Sequence, residues 1–357
     1  MHEVQFFAGI GPAHFPAEMT RPLGPRLPAI FTLLVSMSFR PFGAIITSSP
    51  YLFVMFIISI RTMKTFMMFI AAAFTLLVSA CSQEPVVERG YVPVSGGGQI
   101  YYEAIGEGTP VILLHGHTLD LRMWDSQVKP LLDAGYRVIR PEMRGYGHSS
   151  KQQAGQQFTH LDDMMTLMDS LHIEKAHVVG LSMGSFVASE MVAMHSDRLL
   201  TATLASGNIR NMPGPSTPFD SLELARKDSV ITQNLAQGID NWKKDWIEKL
   251  VSGGGSNREA IRESVTQQVN DWDGWQLTNR EMRNYYGYEA WDTLKARCPE
   301  IPVLILSGEN EGKGKNPMLK FLPNSLQVII PDCGHMSNME RPDEFTRLVL
   351  EELALAR

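Results

Sequence analysis

A serine stands between two glycines in Gly180-Leu181-Ser182-Met183-Gly184, directly after the apolar run His177-Val178-Val179 and before a stretch of helical character. A serine hydroxyl is a poor nucleophile until a base within hydrogen-bond reach takes its proton. A sharp strand-to-helix turn projects the side chain where a base and a substrate can meet it. Flanking glycines let strand and helix backbones approach closely. The positive end of the following helix favours negative charge that develops beside the serine. Without chemistry, the same residues would make only a glycine-rich turn. The buried strand before the motif and the helix after it favour the nucleophile.

Such a turn needs a parallel sheet to hold it. Pro110–Leu114, Tyr136–Arg140, Ala176–Leu181, Leu200–Leu204, Pro302–Leu306 and Leu326–Ile330 read as strands. Their continuous apolar character is that of strands buried on both faces. Helices are expected over Trp124–Ala134, Leu161–Leu171, Ser185–His195 and Asp343–Ala354. In the second, Leu161, Met164, Met165, Met168 and Leu171 recur at helical spacing. Tyr91–Ile105 reads as a hairpin around Gly96-Gly97-Gly98. Alternation of strand and helix implies a mostly parallel sheet flanked by helices, an α/β fold. It breaks near Gly207, and residues 208–296 read as helices and loops. Ser256 with Glu259, and Thr278 with Glu281, match capping-box spacing there. The domain organisation expected is a core of residues 91–207 and 297–357, with a helical cap over 208–296.

Leu113-Leu114-His115-Gly116, Arg144-Gly145-Tyr146-Gly147-His148-Ser149, Gly180–Gly184 and Gly334-His335 occur in an order and at a spacing that resemble the α/β-hydrolase superfamily. The resemblance covers about residues 91–355 and is poorest in the cap. It implies an α/β-hydrolase fold and a catalytic triad. Ser182 would be the nucleophile and His335, in the loop after the last strand, the base. The acid would be Glu311, where the family usually has Asp; Glu309 is the alternative. The oxyanion hole would use the backbone N–H groups of Met183 and, by position, His117. His115 and His148 are expected to be structural parts of their loops. A metal site at His115 and His117 lacks a nearby carboxylate or cysteine to complete it. Of the tryptophans at 242, 246, 272, 275 and 291, most are expected to pack helices. One or two of them would line an apolar pocket above Ser182.

The first 90 residues carry a different signal. Lys64, the apolar run Phe66–Val78, and Ser79-Ala80 before Cys81 have the layout of a secretory signal. Val78-Ser79-Ala80-Cys81 resembles a bacterial lipobox, with 63–80 as signal peptide and Cys81 as the lipidated residue. Residues 81–90 would be a tether. The resemblance implies the bacterial cell envelope, at the outer membrane and on its periplasmic side. A signal belongs at an N-terminus, so residues 1–62 are read as a misassigned start or an N-terminal extension. Cys298 and Cys333 are expected as free thiols, because one precedes a strand and the other follows its parallel neighbour. Strand ends roughly 20 Å apart are beyond disulfide reach.

A net charge of −6 argues against nucleic acid as a partner. The partners expected are a small acyl substrate and, through lipid on Cys81, a membrane. The pattern implies no cofactor and says nothing of oligomeric state. Taken together these features imply a serine hydrolase that cleaves a carboxylic ester or related acyl compound through an acyl-serine. The alternatives are a lactonase, C–C hydrolase or perhydrolase of the same superfamily, or a noncatalytic ligand-binding lipoprotein of this fold.

Overall fold

The computed structural model describes residues 85–153, 155–210 and 221–356, together with Thr62, Met63 and Thr65. Cys81, the signal peptide apart from Met63 and Thr65, and the extension apart from Thr62 lie outside the described residues. The chain divides after Gln83 into two compact units. The sheets and their helices belong to the unit Glu84–Arg357.

The strands of this unit are β1 (Val87–Val94), β2 (Gly98–Ile105), β3 (Thr109–Leu114), β4 (Tyr136–Pro141), β5 (Phe158–Thr159), β6 (Ala176–Leu181), β7 (Leu199–Ala205), β8 (Arg283–Asn284), β9 (Val303–Gly308) and β10 (Ser325–Ile330). Eight form one sheet in the order β1-β2-β4-β3-β6-β7-β9-β10, and β5 pairs with β8 separately. Every neighbouring pair in the large sheet is parallel except those of β2, which runs against β1 and β4. This is an α/β-hydrolase fold, a mostly parallel sheet flanked by helices.

The helices are α1 (Asp125–Asp133), α2 (His160–Ser170), α3 (Met183–Met194), α4 (Ser221–Gln237), α5 (Ile239–Ser252), α6 (Arg258–Asp271), α7 (Trp275–Thr278), α8 (Gly287–Arg297), α9 (Ser337–Glu340) and α10 (Pro342–Leu353). Alternate strand residues feed two cores, since successive side chains point to opposite faces. Ile112, Leu114, Val178, Leu204 and Ile305 pack with α2 and α3. Val111, Leu113, Val179, Leu181, Leu304 and Leu306 pack with α1 and α10. Both faces are covered, which explains the unbroken apolar runs of β3, β6 and β9.

The first strand begins earlier than its sequence suggests. Val87–Gly90, expected within a tether, pair with Tyr102–Ile105. Cross-strand contacts hold the added turn of strand: Arg89 Nε donates to Glu103 at 2.8 Å and Tyr102 Oη to Glu88 at 2.9 Å. Both expected capping boxes are absent as well. Ser256 donates its amide and hydroxyl to Asp332 instead, and α6 starts after Asn257. Thr278 ends α7, and Glu281 pairs with Arg283 at 3.2 Å.

The chain passes from β3 outward to β4, then returns across β3 to β6. Strand order therefore reverses at β3 and β6, and such reversals open a crevice beyond the C-terminal ends of the strands. Ser182 directly follows β6 at that point.

Candidate active site

Ser182 sits at φ 55° and ψ −112°, between β6 and α3. This backbone conformation costs on the order of 1–3 kcal/mol and must be held by its surroundings. Ser182 N donates to Ala205 O at 2.9 Å, and Phe186 N to Ser182 O at 3.0 Å. The tight turn requires its glycines. A Cβ on Gly180 would run into the Gly184 carbonyl, and one on Gly184 into the carbonyl of Leu114. The motif thus packs the start of α3 against both β6 and β3.

The neighbouring strand ends supply the other groups. Glu311 closes a one-turn helix, Glu309–Glu311, immediately after β9. His335 lies in the loop after β10. Its Nδ1–H donates to Glu311 Oε1 at 2.8 Å. The Glu311 side chain is 7% exposed and that of His335 32%, so the carboxylate is enclosed while the imidazole is partly open. Three further donors converge on the same carboxylate. Ser206 Oγ reaches Oε2 at 2.6 Å, Gly308 N reaches Oε2 at 3.2 Å, and Lys313 Nζ lies 2.7 Å from Oε1. Burial pushes the Glu311 carboxyl up, but the hydrogen bonds from His335, Lys313 and Ser206 outweigh it and hold it at about 2. Glu309 turns elsewhere, accepting from Asp332 N at 3.0 Å. His335 spends Nδ1 on Glu311 and makes no hydrogen bond to Ser182 Oγ. Such contacts often tighten only when substrate is bound.

Two backbone donors next to the serine are unspent. Among the described residues, neither Met183 N–H nor His117 N–H has a partner. The His117 loop lies against the elbow: a Cβ placed on Gly116 would be 3.7 Å from Ser182 Cβ. That loop is fixed from behind. His115 is wholly buried, accepts from Met143 N through Nε2 at 2.9 Å and therefore carries its proton on Nδ1, 2.9 Å from Gly116 O. Both ring nitrogens are spent on backbone. Among the described residues, no group of three or more His, Cys, Asp or Glu side chains gathers as a metal-ligand set.

His117 presents its ring to Tyr146, Trp242, Trp246 and Trp272 in edge contacts, with centroids 5.3–6.5 Å apart. Burial, and next the charge of Arg283, pull its imidazole down to about 3, so it stays neutral. Trp246 Nε1 donates to Thr118 Oγ1 at 2.9 Å. Three tryptophans thus pack on the loop that carries the second backbone donor. The Arg144–Ser149 segment is pinned by a bidentate pair of Arg144 with Asp163, at 2.9 and 2.6 Å. His148 in it is exposed, with Nδ1 3.1 Å from Glu142. Cys298 is an exposed free thiol and Cys333 a buried one.

The residues the sequence did not single out are Ser206, Lys313 and Arg283. Ser206 directly follows β7, the strand beside β6, and that position was the one available signal. Arg283 comes from β8, a hundred residues from Met183, yet its Nη1 lies 2.9 Å from Met183 Sδ.

Comparison with known proteins agrees with this architecture. The family model of the α/β hydrolase fold matches residues 109–342. The non-heme chloroperoxidase CPO-A1 of Kitasatospora aureofaciens is 34% identical over 277 residues, covering 72% of this chain and 96% of that protein. The AB hydrolase superfamily protein YisY of Bacillus subtilis is 32% identical, covering 73% and 97%. A thermophilic esterase from Thermogutta terrifontis superimposes with a TM-score of 0.56 at 26% identity, over 75% of this chain and 98% of that one. The chain belongs to the α/β-hydrolase family and is an enzyme of that fold.

Proposed function

We propose that this protein is a serine hydrolase that cleaves a carboxylic ester or related acyl substrate through an acyl-serine intermediate. One observation carries the reading: a strained serine between β6 and α3, with His335 hydrogen-bonded to the enclosed carboxylate of Glu311 on neighbouring strand ends. Ser182 Oγ attacks the substrate carbonyl as His335 takes its proton through Nε2. Glu311, held as a carboxylate, fixes the ring through Nδ1–H and stabilises the imidazolium. The backbone N–H groups of Met183 and His117 stabilise the oxyanion, at about 3–4 kcal/mol for one such donor. Collapse of the tetrahedral intermediate breaks the acyl–oxygen bond, and His335 returns the proton to the leaving alcohol. Water, activated by His335, then releases the acid and regenerates Ser182. No cofactor enters these steps.

The test is labelling by a fluorophosphonate. Wild type should react, and Ser182→Ala and His335→Ala should not; a folded wild type that fails to react refutes the mechanism. The similarity to a chloroperoxidase favours a second reading, in which hydrogen peroxide replaces water at the acyl-serine and releases a peracid. Peracid formation from acetate esters and peroxide would separate the two. We further propose that lipid on Cys81 anchors the enzyme in the bacterial envelope. Loss of radiolabelled palmitate incorporation in Cys81→Ser is the expected result, and retained label would refute it.

A further inference from the structure

Arg283 is a buried guanidinium whose donors are poorly matched. Its side chain is 15% exposed, and its nearest carboxylate oxygen, on Glu281, is 3.2 Å from Nη2. Among the described residues, Nη1 faces only neutral acceptors: the Met183 thioether at 2.9 Å, His160 Nε2 at 3.3 Å and Tyr146 Oη at 3.4 Å. A thioether is a weak acceptor, and a guanidinium carries five N–H donors made for carboxylate or phosphate. A buried arginine with one long carboxylate contact therefore has donors to spare for an anion. A second cation comes to the same place from another segment. Arg210 lies over Phe186 and Tyr285, at 5.9 and 4.9 Å from the ring centroids, and makes no ion pair among the described residues. Arg283 lies 5.4 Å from the same Tyr285 ring. Met183 and Phe186 are the first and fourth residues of α3, so both arginines converge on the turn that follows Ser182. Nearby Lys227 has its proton affinity lowered by burial, against the pull of Glu281 and Glu223, with Arg283 and Arg210 adding smaller contributions.

We propose that the acyl substrate carries a carboxylate, which Arg283, with Arg210, binds on the Met183 side of the nucleophile. Ester-bearing half-acids of short dicarboxylic acids are the class that fits, with the free carboxylate a few carbons from the scissile carbonyl. This rests on the serine-hydrolase reading above and narrows it. The carboxylate stays ionised throughout and takes no part in bond making. Its role is to orient the carbonyl and to lower KM for charged substrates.

The experiment compares kcat/KM of the full chain for monomethyl succinate, glutarate and adipate with that for uncharged methyl esters of equal length, followed by proton release. We expect the charged member of the best pair to be favoured about tenfold or more, the scale of a charge-assisted contact. Arg283→Gln should reduce that preference about tenfold or more, and the more exposed Arg210→Gln by about threefold. Because the readout is a ratio of two substrates, a general loss of activity does not mimic it. If Arg283→Gln does not fold, competition on the wild type replaces it: glutarate should inhibit at least about tenfold more tightly than glutaramide. Equal rates for charged and neutral esters, an unchanged ratio in Arg283→Gln, or equal inhibition by glutarate and glutaramide would overturn the proposal. With fluorophosphonate labelling intact, any of these would overturn the carboxylate alone. Absence of both labelling and turnover would overturn the serine mechanism and this proposal with it.

Discussion

Replacing Glu311 with glutamine keeps the shape of the side chain and removes its charge. The carboxylate accepts from His335 Nδ1, Lys313 Nζ, Ser206 Oγ and Gly308 N, at 2.8, 2.7, 2.6 and 3.2 Å. An amide must point its NH2 group at two of these four donors. Facing Ser206 is cheaper, because a hydroxyl can turn and accept. Gly308 N–H then loses its partner, a cost of about 1–3 kcal/mol. The charge itself matters as much. Holding Glu311 at about 2 against its ordinary 4.5 stabilises the fold by about 3 kcal/mol, at 1.36 kcal/mol per tenfold in proton affinity. The folded value lies below the unfolded one, so this stability is present above pH 4.5 and lost as pH falls toward 2. Glu311→Gln should therefore be about 3 kcal/mol or more less stable in urea at pH 7, and the gap should narrow between pH 4.5 and 2. With the imidazolium uncompensated, kcat on a simple ester should fall about 10³–10⁴-fold. A folded variant whose kcat stays within tenfold of wild type would refute Glu311 as the acid. A stability gap that does not change with pH would refute the charge argument.

Burial pushes the Glu190 carboxyl, which accepts from Gly287 N at 3.1 Å, up to about 8. Its folded value is raised, so stability falls as pH rises from 4.5 toward 8. Glu190→Gln should be close to wild type in stability at pH 5 and exceed it at pH 9 by about 5 kcal/mol in urea unfolding; an equal change at both pH values would refute this. Gly184→Ala forces a methyl into the Leu114 carbonyl, and thermal unfolding should show a loss of about 3 kcal/mol. Apart from Cys81, a thiol reagent should modify Cys298 in the native protein and Cys333 only after unfolding, since burial pushes the Cys333 thiol up to about 12. Rapid native modification of Cys333 would contradict its placement.

The sheet was legible because its signal is local. Strands covered on both faces read as unbroken apolar runs, and β3, β6 and β9 match theirs within a residue or two. The edge was less legible. Val87–Gly90 is half polar because one face of β1 meets water, so it passed for a tether. The failed capping boxes have a similar cause. Ser256 had the spacing for a local cap, but Asp332, brought in from 76 residues away, offers it a charged acceptor. Spacing records what a residue can reach along the chain, and folding adds competitors from outside it.

The same limit governs the candidate site, where the Asp-to-Glu departure is instructive. Sequence left Glu309 and Glu311 as alternatives, since either follows β9. The fold separates them because the one-turn helix after Gly308 sends them in different directions. Glu309 meets the backbone of Asp332, while Glu311 folds back over Gly308 N. That backward fold takes up the extra methylene of a glutamate and lets its Oε1 meet His335. Ser206, from another segment, and Lys313, two residues further along the same loop, then hold the longer side chain, with Lys313 also donating to Ser206 O at 2.8 Å. A glutamate has one more rotatable bond to restrain than an aspartate, and these contacts supply the restraint. The contacts from Ser206 and His335 have no signature in the sequence, because each joins residues whose nearness exists only in the folded chain. Arg283 is the extreme case: it reaches Met183 from a two-residue strand with no local chemistry to mark it.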